Sequence, residues 1–369
     1  MRKLLLLAGE ESGVLYAKRI AAKLGGQVEI RGYDSYGFKT ADLGVFGYWE
    51  VIRKIFYFLR VKRTIERAID EWKPDCVCTI DYPGLNLKLA AYAHARGVRA
   101  VHVVCPQVWA WHQDRIPKIE ASLDRLCCFL PFEPKIFRDG FAEFVGHPLV
   151  EEFAGVAVAT ASRRDGVKTL AVLPGSRLGE IGYHMPVILA ALKKLEDEGV
   201  RFRVVIPAAN DRAYRAIRAK LRTVPLASVE VTVTRGEARK ALAAADAAVV
   251  SSGTATLEAA LVNCPTVLVY KVGYLLGEFL RRAIKGTKYA GLANVIWERC
   301  GGTGSQPMPE LLQENFTAEK VLDCVRPWLA DPEANGRARA ALAASMSLMR
   351  SDGDAIQRIV DGLFTDGAA

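Results

Sequence analysis

Two short segments in the second half of the chain constrain its fold more than any other feature. LPGSRLGE spans residues 173–180 and SSGTATLEAAL spans residues 251–261. Each follows an apolar run of strand length and opens a run with helical spacing. A helix start leaves backbone N–H groups unpaired and carries partial positive charge, which suits a diphosphate. Two such starts, one carrying Arg177 and the other Glu258, predict a nucleotide held at the carboxyl edge of a parallel sheet.

Strand-like and helix-like runs alternate along nearly all of the 369 residues, the pattern of parallel sheets joined by crossover helices. In the first half, strands are expected at about 3–8, 76–80, 100–104, 126–129 and 143–145. In the second half they are expected at about 169–173, 203–206, 229–233, 247–250 and 266–270. The stretch 151–167 is rich in small residues without a firm period and reads as a linker. The expected division is a domain over 1–155, a second over 165–335, and a helical segment over 336–369. That segment packs back on the first domain or on a partner chain, so a homodimer is one arrangement open to it. The expected class is α/β, with two Rossmann-like domains facing one another across a cleft and C-terminal helices. Layer physics alone equally admits a two-domain dehydrogenase or an epimerase.

The net charge of +9 points to nucleic acid, an anionic membrane surface or phosphorylated substrates. No nucleic-acid module signature is present, so nucleic acid is not an expected partner. The eight cysteines are scattered, with no C-x-x-C pair and no Cys/His group at zinc spacing, so no metal is expected. The start, MRKLLLLAGEESG, is too short in its apolar part for a signal peptide and reads as a first strand. No apolar run reaches the roughly 18 residues that cross a bilayer. A cytoplasmic protein is expected.

Residues 43–63, LGVFGYWEVIRKIFYFLRVKR, fit a soluble enzyme least well. Val45, Phe46, Trp49, Phe56, Phe58 and Leu59 belong to an apolar and aromatic arc wider than one core face needs. Arg60 and Lys62 are among its cations. This is the composition of a helix lying in a membrane interface, and equally that of a buried crossover helix whose cations snorkel to water.

Several motifs sit where an α/β fold gathers its ligands. Glu10 and Ser12 lie in a glycine-rich turn after the first strand. Asp81 follows the apolar strand 76–80; Pro83 and Gly84 make a turn, and Asn86 starts the next helix. A carboxylate at a strand's carboxyl end points into the ligand crevice. PQVWAWHQDRIPKI, residues 106–119, brings Trp109, Trp111 and Arg115 into one loop, with one tryptophan expected in the core and the other in the cleft. Aromatic faces suit sugars and acyl chains, and Arg115 suits phosphate. Arg177 is placed to neutralise a leaving diphosphate. Ser252, Gly253, Thr254 and Ala255 offer N–H groups and hydroxyls, and Glu258 lies one turn on, suited to ribose hydroxyls. Asn294 and the stretch PELLQ, 309–313, read as cleft loops.

Together these motifs resemble the lipid-A-disaccharide synthases, a GT-B glycosyltransferase family of Gram-negative outer-membrane biogenesis. The resemblance is carried by AGEESG at 8–13, DYPGLNL at 81–87, PQVWAWHQDRIPKI at 106–119, LPFEPKIF at 130–137, FVGHPL at 144–149, LPGSR at 173–177, SSGTATLEAAL at 251–261 and AGLANVIWER followed by PELLQ. It implies transfer of 2,3-diacylglucosamine from its UDP donor to 2,3-diacylglucosamine 1-phosphate, without a cofactor, at the cytoplasmic face of the inner membrane. It makes Asp81 the general base, Arg177 the arginine of the PGSR motif, and Ser252, Gly253, Thr254, Glu258 and Asn294 part of the UDP side. It also matches residues 43–63 to a membrane-contacting patch. Val14 and Gly84 stand where the family usually has aspartates, and RGYDSYGFKTAD at 31–42 replaces its G-G-P-x-M loop. These departures fall on the acceptor side. They leave open a related UDP-sugar transferase or epimerase with another acceptor, or a non-catalytic lipid-binding paralogue.

Overall fold

The computed structural model describes residues 1–39, 43, 55–155, 166–273, 276–278, 282 and 286–365. The chain divides into two compact units. Unit 1 comprises Met1–Pro148 and the chain from Ser351 on; unit 2 is Leu149–Arg350.

The sheet of unit 1 holds β1 (Arg2–Ala8), β2 (Val28–Arg31), β3 (Cys76–Ile80), β4 (Arg99–Val103), β5 (Arg125–Cys128) and β6 (Ala142–Phe144). All pairs are parallel, in the order β2-β1-β3-β4-β5-β6. Both faces are covered, which is why β1 reads as an unbroken apolar run. Leu4, Leu6 and Ala8 pack with Ile20, Leu24, Ile356 and Ile359. Leu5 and Leu7 pack with Ile65, Ile69 and Leu89 on the opposite face.

The sheet of unit 2 holds β7 (Lys168–Leu173), β8 (Phe202–Ala208), β9 (Glu230–Arg235), β10 (Ala247–Ser251), β11 (Thr266–Tyr270) and β12 (Glu310–Leu312). It too is parallel, in the order β12-β11-β10-β7-β8-β9. In each sheet the chain adds strands in one direction and then reverses. The reversal falls between β1 and β3 in unit 1 and between β7 and β10 in unit 2. At such switch points the connecting segments part and leave a crevice at the carboxyl ends of the strands.

Beyond β2, which lies where no strand is expected, the structure differs from the sequence-based expectations in three places. PELLQ is not a loop: Glu310–Leu312 forms β12 beside β11. It has three residues with only Leu311 buried, too short a pattern to announce a strand. The stretch expected as a linker at 151–167 begins inside a helix, Pro148–Phe153, and residues 156–165 lie outside the described ones. The segment expected as one piece over 336–369 is shared. The helix Pro332–Ser347 stays in unit 2, where Arg339 donates to the carbonyls of Asn263 and Ala245. The helix Ala355–Asp361 lies in unit 1, with Asp354 paired to Lys23 at 2.7 Å. Among the described residues no helix is long and apolar enough to cross a membrane.

Candidate active site

Asp81 and Glu10 follow the two strands that flank the switch point of unit 1. Asp81 and Tyr82 both adopt left-handed backbone, with φ of 51° and 53°. Side chains disfavour that region by about 1 kcal/mol or more per residue, so neighbours must hold it. Asp81 N–H donates to the Val103 carbonyl at 2.9 Å, and Asp81 Oδ1 accepts from the Tyr82 N–H at 2.7 Å. Asn86 Nδ2 donates to the carbonyls of Asp81 at 2.8 Å and Ile80 at 3.0 Å. Tyr82 Oη donates to the Leu43 carbonyl at 2.9 Å. Gly9 makes room for the Tyr82 side chain: a Cβ there would lie 2.5 Å from Tyr82 Cβ.

This setting acts on both carboxyl groups. Asp81 is half-buried, and burial raises it above the usual carboxylate range, against a smaller opposing effect of the Tyr82 N–H. Glu10 reaches solvent, yet it is raised too, first by the protein around it and then by the charge of Asp81. Ser12 is exposed in the first turn of the helix Glu11–Leu24. Asn86 is fully buried and braces the turn from inside, so its expected place on the acceptor surface is corrected.

The two segments of unit 2 likewise fall at its switch point. Gly175, at φ 115°, and Gly253, at φ 149°, make the sharp turns. Thr254 and Ala255 open the helix Thr254–Leu261, and its first N–H groups have no acceptor within the helix. Ser252 differs from expectation, because its N–H is spent on the Val269 carbonyl at 3.2 Å. The amides of the first turn also differ. Glu180 Oε2 accepts from the N–H groups of Ser176 at 3.2 Å and Arg177 at 3.3 Å, as in a capping box. A carboxylate of the chain therefore takes the place expected for an anion. Arg177 Nη1 donates to Glu180 Oε1 at 3.1 Å while its side chain stays 61% exposed. Glu258 is half-buried and raised by burial, with Arg239 pulling the other way and Glu152 adding to the rise. Asn294 is fully buried on the helix Leu292–Arg299. Its Nδ2 donates to the Met308 carbonyl and to Glu310 Oε1, both at 2.7 Å. That correction makes it a brace between helix and β12, not a surface residue.

The aromatic loop separates its tryptophans as the alternation implies. Trp109 is 4% exposed and Trp111 40%. Trp109 Nε1 donates to Glu133 Oε1 at 3.1 Å, and Arg115 is exposed. Of the interface residues, Val45, Phe46 and Trp49 lie outside the described residues. On the helix Ile55–Trp72, Phe56 is 81% exposed and Leu59 42%, beside an exposed Arg60. Phe58 is half-buried against the rings of Tyr57 and Tyr82, which corrects its expected exposure. Lys62 is half-buried and paired with Glu66.

Sequence reasoning missed the groups that act across long separations. Tyr33 Oη donates to Asn86 Oδ1 at 2.7 Å. His184, fully buried, ties the ends of β7 and β11: its Nδ1 lies 2.8 Å from the Pro174 carbonyl and its Nε2 accepts from the Lys271 N–H at 2.9 Å. Cys105, Cys128 and Glu133 gather in the core of unit 1, with possible ligand atoms within 4.8 Å of one another. Both Glu133 oxygens are already engaged, by Trp109 and by the Leu130 N–H at 3.0 Å. Burial pushes Glu133 up to about 8. The trio thus fits an internal brace for the aromatic loop. No local spacing in the sequence marks it.

A family model described as lipid-A-disaccharide synthetase matches residues 5–339. The lipid-A-disaccharide synthase of Alcanivorax borkumensis is 36% identical over 89% of this chain and 88% of its own length. That of Burkholderia vietnamiensis is 35% identical over 94% and 92%. Among solved structures, the chain is similar to MurG of Acinetobacter baumannii, with a TM-score of 0.63 at 13% identity over 98% of this chain and 99% of that one. It is also similar to an S. aureus MnaA–UDP co-structure, with a TM-score of 0.61 at 13% identity over 98% and 95%. These likenesses show the fold, two Rossmann-like domains of the GT-B type. The match to the family model and to full-length relatives shows that the chain belongs to the lipid-A-disaccharide synthase family.

Proposed function

We propose that the chain joins two acylated glucosamines, taking 2,3-diacylglucosamine from its UDP donor to 2,3-diacylglucosamine 1-phosphate with inversion at the anomeric carbon. The acceptor 6-oxygen bonds to the anomeric carbon, the bond to the diphosphate breaks, and its electron pair leaves on UDP. The proton of the acceptor hydroxyl passes to Asp81. A base is useful when its pKa lies toward the working pH, and burial moves Asp81 in that direction. Arg177 and the helix start at Gly253–Ala255 meet the charge that builds on the leaving diphosphate. Glu258 takes the ribose hydroxyls.

One observation carries this reading: the chain belongs to this family, and at its switch point each unit has groups suited to the transfer, a carboxylate on strained backbone in unit 1 and a guanidinium and an open helix start in unit 2. Incubating the protein with both diacylated substrates and weighing the products by mass spectrometry tests it. A disaccharide 1-phosphate with stoichiometric UDP is expected; hydrolysis, epimerisation or no turnover contradicts the reading.

Acylated substrates suit an enzyme that works peripherally at the cytoplasmic face of the inner membrane. The exposed Phe56 and Leu59 beside Arg60 support peripheral contact there. Phe56→Ser is expected to reduce sedimentation with anionic phospholipid vesicles, and unchanged sedimentation counts against that surface.

A further inference from the structure

We propose that Tyr33, acting through Asn86, is a positioning residue that aims the Asp81 carboxylate at the acceptor hydroxyl. The inference rests on the reading of Asp81 as the base and adds the device that holds it.

Tyr33 lies in the stretch that departs from the family pattern. It is 3% exposed and packs among Phe38, Leu43, Val77 and Leu89. Its carbonyl accepts from the N–H groups of Tyr36 at 3.1 Å and Phe38 at 3.0 Å, which fixes the residue at the head of a tight turn. Burial holds the phenol far above its ordinary value, so its hydroxyl remains a donor throughout the working range. The acceptor is Asn86 Oδ1 at 2.7 Å. An amide has an oxygen end and a nitrogen end. With the phenol holding the oxygen, the nitrogen is directed at three carbonyls: Leu7 at 3.3 Å, Ile80 at 3.0 Å and Asp81 at 2.8 Å.

Two of those carbonyls flank the strained residue that carries the base. Left-handed backbone at Asp81 and Tyr82 persists only while neighbours over-determine it. Leu43, the residue after that stretch, holds the turn a second time, its carbonyl accepting from Tyr82 Oη. Loss of the Tyr33 hydroxyl leaves the ring in its core and the buried Asn86 Oδ1 without this donor, so the amide shifts and its hold on the two carbonyls loosens. The carboxylate then samples positions off the line of proton transfer, and small displacements of a reacting group cost turnover more than binding.

The test compares wild type, Tyr33→Phe, Asp81→Ala and the double variant in steady-state kinetics. Tyr33→Phe is expected to lower kcat about tenfold with KM for both substrates little changed. In the Asp81→Ala background, the same substitution is expected to cost nothing further, because the group it serves is gone. An equal loss in both backgrounds, or no loss in wild type, overturns the proposal while leaving the base assignment standing. Normal turnover by Asp81→Ala removes the base and the positioning role together. Melting temperature reports whether Tyr33→Phe remains folded. Should it not, Tyr33→Trp, which keeps a ring N–H donor, is expected to keep turnover above that of Tyr33→Leu, and equal turnover by those two contradicts the proposal.

Discussion

The two switch points are shaped by opposite means. In unit 2 the sharp turns belong to glycines, Gly175 and Gly253, where positive φ carries little steric penalty. At each turn the groups that matter lie within about five residues of the glycine. In unit 1 the corresponding turn is made by an aspartate and a tyrosine in left-handed backbone, held by Asn86 and, through it, Tyr33. A glycine turn offers backbone to a ligand. A strained turn with side chains aims one of them, and it needs support from elsewhere in the fold. On the proposed function, unit 2 binds the charged leaving group and unit 1 places the carboxylate.

The sharpest way to break this comparison is to remove Asp81. Asp81→Ala is expected to cut turnover by about 10²–10⁴-fold, the usual contribution of a general base, and to spare UDP affinity. Steady-state assays set against UDP titrations check it. Arg177→Ala is expected to cost about 10²–10³-fold in turnover, because one charge-stabilising donor is lost, and to weaken UDP binding as well. Partial recovery in Arg177→Lys would mark charge as the main need, and none would mark the planar fork.

A smaller effect concerns stability, and it belongs to unit 1. Glu133 is raised to about 8, so the folded unit binds an extra proton as pH falls from that value and gains up to about 2 kcal/mol by pH 6.5. His102 and His147 are lowered by burial, to about 3 and about 4, from an ordinary value of 6.5. Below 6.5 the unfolded chain takes up two protons that the folded one refuses, against the one still favoured at Glu133. Stability then falls by about 1.4 kcal/mol per pH unit. Hydrogen exchange in the strands of unit 1, corrected for intrinsic rates, is expected to show greatest protection near pH 6.5. Flat protection between pH 8 and 5 would contradict the assignment.

The same contrast governs what the sequence made legible. β11 matches its expected span, and the starts of the helices after β7 and β10 follow from local motifs, because apolar runs and glycine turns are written in adjacent residues. Asp81 was legible for the same reason, as a carboxylate ending a buried strand. Asn86 and Asn294 stand out in their motifs, yet they read there as surface residues, since nothing local distinguishes a polar ligand contact from a buried brace. Tyr33, His184 and Glu133 draw their roles from partners far along the chain. Glu180 was near enough to read, yet it reverses the expectation for its turn: the carboxylate fills the seat that the helix start alone would offer an anion.

The division of labour between the units is tested most directly by titrating UDP into Asp81→Ala and Arg177→Ala side by side, with turnover measured on the same preparations. The account predicts that the aspartate variant keeps wild-type affinity while losing catalysis, and that the arginine variant loses both. An aspartate variant that turns over normally, or one that loses UDP as severely as its counterpart, would contradict it.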